Sequence, residues 1–133
     1  MDVRIYYEDT DSGGVVYHAN YLKYMERART EYFRSHGFSV AVLAGNGFVF
    51  PVVKLEIHFR YPALHDDLLS VATCPVRSGG SSITLSQKIV RKHDNKLLVE
   101  GLVTLACIGP TLKARRIPLA IREMLGTELE NLV

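Results

Sequence analysis

From Phe48 to Ile108 the chain reads as β-structure almost without a break, and a single long helical pattern stands in front of it. That asymmetry limits the fold more than any other feature. Val53, Leu55, Ile57, Phe59 and Tyr61 alternate with Lys54, Glu56, His58 and Arg60, the period of a strand with one buried face. Leu68 to Val76 is a second strand, in which Pro75 marks an edge or a bulge. "SGGSS" (Ser78 to Ser82) is a hairpin signal, Ile83 to Arg91 a third strand, and "KHDNK" (Lys92 to Lys96) another tight turn. Leu97 to Ile108 is apolar on both alternations, which predicts a central strand covered on both sides. Val3 to Tyr7 supplies a first strand before the helix.

The helix is announced by Tyr21, Leu22, Met25, Ala28, Tyr32 and Phe33 at helical spacing, with Asn20 as its N-cap and Gly37 as its stop. Pro118 opens a short C-terminal helix, Leu119 to Leu125. A strand, a long helix and four consecutive strands predict an α+β domain over residues 1–133. An antiparallel meander of about five strands would wrap its apolar face around one central helix. Such a sheet leaves open edges, and pairing two copies edge to edge removes one, so a homodimer is expected.

Composition narrows the function. A net charge of +2 is too small for nucleic-acid binding to lead. No apolar run approaches the roughly 18 residues of a membrane span. Met1-Asp2-Val3-Arg4 lacks a signal-peptide pattern, so a cytoplasmic protein is expected. Cys74 and Cys107 sit in strand-like runs without metal spacing and suit reduced thiols. His36, His58, His65 and His93 are scattered, and no metal site is expected.

The polar chemistry crowds into "YYEDTDSGGVVYHANYLKYMERAR", Tyr6 to Arg29. Its glycines let a loop turn tightly, and the helix that follows begins with unpaired N–H groups and a partial positive charge. Asp9 and Asp11 alone could be turn residues. Asp9 is expected to be structural. Asp-Thr-Asp, then Gly, then Val-Val-Tyr-His-Ala-Asn-Tyr closely resembles the opening signature of the 4-hydroxybenzoyl-CoA thioesterase-like hotdog family. The match is nearest to its YbgC group of acyl-CoA thioesterases, which are associated with the Tol-Pal system.

The resemblance implies a hotdog fold, at least a dimer and often a tetramer. It implies hydrolysis of an acyl-CoA thioester to free acid and coenzyme A without metal or cofactor. It makes Asp11 the working carboxylate, brings Tyr7 and His18 into the site, and puts an oxyanion-binding backbone amide at His18. Asp11 would act as base for a water or attack the carbonyl directly. Gly14, Val15 and Val16 are expected along the substrate path. Glu26 could meet the acyl group or a partner subunit, although an ion pair is its ordinary role. Arg60 and Arg115 could grip the phosphates of coenzyme A. Two other functions compete: an acyl-CoA hydratase or dehydratase, and a non-catalytic subunit binding acyl carrier protein or an envelope complex. Peripheral attachment to the inner membrane follows only by family analogy.

Overall fold

Strand β1 (Asp2–Arg4) is followed by a 3-10 turn (Tyr7–Asp9) and the long helix α1 (His18–Ser35). After the short helix α2 (Val40–Gly45) come β2 (Val52–Phe59), β3 (Leu68–Ser78), β4 (Ser82–Arg91) and β5 (Lys96–Ala106). Helix α3 (Leu119–Glu130) closes the order. This computed structural model describes residues 1–132; residue 133 of the expected domain lies outside the described residues.

The five strands form one antiparallel sheet in the order β1-β3-β4-β5-β2. Only β3, β4 and β5 make the expected meander. β2 crosses to the far edge and pairs with β5, because the hairpin turns at "SGGSS" and "KHDNK" tie β3, β4 and β5 to one another and leave β5 one free side. β5 is therefore next to the edge, and its outer face carries half-buried Glu100 and Thr104 and exposed Leu102 rather than a second apolar cover. The register shift at Pro75/Arg77 is the bulge that Pro75 announces.

The concave face closes on α1. Tyr21, Tyr24, Met25, Ala28 and Phe33 are buried there, against a sheet surface that includes Val71, Leu85, Val99 and Val103. Gly101 admits this packing. A Cβ there would stand 2.9 Å from Met25 Cε and 3.1 Å from the Glu56 carbonyl oxygen, so the methionine lies against bare backbone. Helix α3 covers the end of the core with Ile121 and Leu125, both fully buried.

The alternation in β2 buries less than expected. Leu55 and Ile57 are half-buried, but Val53 is 62% exposed, Phe59 50% and Tyr61 51%. A bulge between Val52 and Lys54 takes Val53 out of the alternation, and Phe59 and Tyr61 stand at and just beyond the strand's end.

Candidate active site

The loop before α1 is built by backbone hydrogen bonds. The Asp11 amide donates to the Val15 carbonyl at 2.8 Å and the Gly14 amide to the Asp11 carbonyl at 3.0 Å. Gly14 takes φ +80°, which costs glycine little and an L-residue about 1–2 kcal/mol. The turn returns Val16 beside Thr10 as an antiparallel bridge. Asp11 Oδ1 accepts from the Gly13 amide at 2.8 Å, so the carboxylate is fixed by its own turn.

A second segment locks this loop to the sheet. Val16 donates its amide to the Ala63 carbonyl at 3.0 Å, and Val15 bridges to Leu64. Ala63 is fully buried, and its amide donates to the Tyr21 phenol oxygen at 3.0 Å. Asp9 is the other clamp. It accepts from the Tyr6 amide at 2.8 Å and from the Tyr24 hydroxyl at 2.8 Å. Burial first, and then Asp9, raise the Tyr24 phenol above its ordinary pKa.

These bonds decide where α1 begins. The Tyr17 amide is committed to the Asp9 carbonyl at 2.9 Å, and Tyr17 is the N-cap residue without a side-chain cap. Asn20 is therefore not the cap. It lies in the first turn, and its amide group reaches back to the Asp9 carbonyl at 3.2 Å. The amides of His18 and Ala19 have no acceptor among the described residues. Free N–H groups at a helix start carry partial positive charge and suit an oxygen that gains negative charge.

Beside this helix start lies a cleft of about 230 Å³, lined by Val16, His18, Tyr21, Phe59, Arg60, Tyr61 and Pro62. The His18 ring packs near Tyr17, at 4.7 Å between centroids, and edge-on to Phe59 at 6.1 Å. Arg60 stands at the cleft with its guanidinium 3.1 Å from Glu100, which it holds below the usual carboxylate range.

The expected residues are thus distributed unevenly. Val16, His18 and Arg60 line the cleft, with Gly14 and Val15 in the adjoining turn. Asp11 and Tyr7 are exposed in the protomer, and Tyr7 meets His65 edge-on at 5.9 Å. No hydrogen bond joins Tyr7, Asp11 and His18 to one another among the described residues. Glu26 is exposed and accepts from the Thr30 hydroxyl at 3.3 Å. Arg115 stacks on Phe48 at 3.7 Å and donates to the Gly47 carbonyl at 2.8 Å. That places it beyond the Val52 end of β2, whereas the cleft is at the Phe59 end. Sequence reasoning missed Ala63 and the wall of Phe59 and Tyr61, whose approach to α1 depends on contacts about 40 residues apart in the chain.

Residues 13–98 match the family described as Thioesterase superfamily, 4HBT. The chain belongs to the thioesterase superfamily. The matched span contains the helix start and every residue that lines the cleft. Over 120 residues the chain is 43% identical to an acyl-CoA thioester hydrolase YbgC of Escherichia coli O6:H1, covering 90% of this chain and 89% of the relative. It is 30% identical over 118 residues to the long-chain acyl-CoA thioesterase FadM of Escherichia coli K12, covering 89% and 86%. Among solved structures, a probable thioesterase from Bartonella henselae superposes with a TM-score of 0.84 at 38% identity, over 89% of this chain and 97% of that one. The fold of this thioesterase-superfamily chain is the expected hotdog: one antiparallel five-stranded sheet around one long helix. No helix among the described residues is long and apolar enough to cross a membrane.

Proposed function

We propose that the protein hydrolyses acyl-CoA thioesters to a free acid and coenzyme A. One observation carries this reading: α1 starts at His18 with uncapped amides at the edge of a cleft, directly after a turn that fixes a carboxylate. The thioester carbonyl oxygen accepts from the helix-start amide of His18, which polarises the carbon. Asp11 then supplies the oxygen attack, by taking a proton from water or by adding to the carbonyl itself. The carbon–sulfur bond breaks, the electron pair leaves with coenzyme A thiolate, and the thiolate takes up a proton. On the direct route, water afterwards opens the acyl–Asp11 anhydride. The His18 ring and the Tyr7 hydroxyl orient water, carboxylate or carbonyl, while Gly14, Val15 and Val16 flank the path.

Two features ask for a second copy. Asp11 and Tyr7 are open in the protomer, and the apolar β2 edge is uncovered. A homodimer through β2 would cover that edge and build the rest of the pocket. Arg60 reads the coenzyme A phosphates at the cleft. Arg115, held against Phe48, joins the site only as a contribution from another copy, as does Glu26.

The experiment is thiol release from a panel of acyl-CoAs, with Asp11→Asn alongside. We expect free thiol from the parent protein and a loss of kcat/KM of about a hundredfold or more in the variant, with its thermal unfolding unchanged. Near-normal turnover in the variant refutes Asp11 as the working carboxylate. Loss of enoyl absorbance without thiol would indicate a hydratase. Silence with both readouts would favour the subunit that binds acyl carrier protein.

A further inference from the structure

Helix α1 and strand β2 lie side by side and run in opposite directions. His18 and Tyr21 meet Phe59 at one end of the seam. At the other end Leu22, Met25 and Arg29 line a pocket of about 180 Å³ with Val52, Leu55 and Val103. Its walls are apolar, and Arg29 is among the residues that line it. His18, Leu22, Met25 and Arg29 fall on one stripe of the helix, so the pocket continues the line that starts at the free amides.

Arg29 is an unusual cation. It is half-buried, and burial pulls its pKa down from the usual arginine value. Its NH1 donates to Gln87 Oε1 at 3.1 Å. No carboxylate lies within 4.0 Å of it among the described residues; Glu26 acts only from farther away. Gln87 is itself fully buried, with its amide donating to the Met25 carbonyl and to the Thr73 hydroxyl, both at 2.9 Å. The guanidinium is therefore held from behind by a rigid neutral group. A guanidinium has five N–H donors, and among the described residues only NH1 of Arg29 has a hydrogen-bond partner.

We propose that Arg29 reads the distal end of the acyl group and selects acyl chains bearing an oxygen acceptor there, above all a carboxylate. This rests on the thioesterase reading of the same site. Helix rise sets the reach: from His18 to Arg29 is about 16 Å, and the side chain leans back about one turn, which leaves about 11 Å for a medium-length chain. A plain alkyl tail would leave the guanidinium half-desolvated and unmatched. A terminal carboxylate completes it with charge-assisted hydrogen bonds.

The test compares butanoyl-, octanoyl- and dodecanoyl-CoA with the CoA thioesters of the matching chains that end in carboxylate. At one length, kcat/KM should favour the carboxylate by about tenfold or more. Arg29→Met should bring that ratio close to one, and Arg29→Lys should restore part of it. A parent protein with no such preference at any length overturns the proposal, and so does a preference that survives Arg29→Met. If Arg29→Met does not fold, the parent series and the lysine variant decide. If plain chains are hydrolysed without preference, this inference alone fails; if neither series releases thiol, the thioesterase reading fails with it.

Discussion

The buried N–H of Ala63 finds its acceptor in the Tyr21 phenol oxygen, and Ala63 returns its own carbonyl to Val16. Two bonds at one residue thus fix the cleft wall to both the helix and the turn that carries Asp11. Tyr21→Phe removes the acceptor while keeping the ring in the core. We expect a loss of about 1–3 kcal/mol in unfolding free energy, the cost of an orphaned buried donor, and a fall in kcat/KM as the wall loosens. Urea unfolding and thiol release measure the two effects. At this scale the sequence is informative only where a motif is dense. Asp9 and Asp11 stand two positions apart with the same chemistry, yet Asp9 is consumed by Tyr24, Asn20 and the Tyr6 amide while Asp11 touches only its own turn. The partners of Asp9 lie up to 15 residues away, so periodicity could not pair them with it. Arg29 is hidden for the same reason, since its Gln87 neighbour is 58 positions distant.

Periodic elements are legible because their signal is local. α1 and the three hairpin-linked strands stand nearly where the pattern puts them. The start of α1 moves from Asn20 to His18 because long-range acceptors for Val16 and Tyr17 decide it. The sequence also leaves α2 unannounced, and α3 runs past Leu125 to Glu130. A tie to α1 explains the extra turn. His36 Nε2 lies 2.7 Å from Glu128 Oε1, and its Nδ1 lies 2.9 Å from the Tyr32 carbonyl. Both partners are acceptors, and only the imidazolium donates from both nitrogens. The Tyr32 carbonyl first, and Glu128 after it, raise the His36 pKa above 6.5 against the opposing effect of burial. A raised folded-state value means that the stabilisation is complete below about 6.5 and fades as pH climbs through the folded-state value. The Tm difference between the parent and His36→Gln should therefore be largest near pH 6 and shrink toward pH 9. A difference constant across that range would mean that the neutral ring serves equally well.

At the scale of the whole molecule the sheet has two unequal edges. β1 offers three residues, whereas β2 offers eight with Val52, Val53 and Phe59 exposed on it. A long apolar edge is hazardous in an isolated protomer. The same edge carries Phe59 into the cleft wall, so a second copy docked on β2 would share a surface with the proposed site. If a second copy covers β2, activity becomes a property of concentration. Activity per protomer should fall on dilution, at the concentration where light scattering reports loss of the dimer. Val53→Lys puts a charge on the edge while touching none of the proposed reacting groups, and it should move both transitions to higher protein concentration together. Its activity should return when the protein is concentrated, which a damaged active site would not allow. Constant activity per protomer in a solution that scattering shows to be monomeric would mean that one chain completes the site. Asp11 and Tyr7 would then work as open to water as they stand in the protomer.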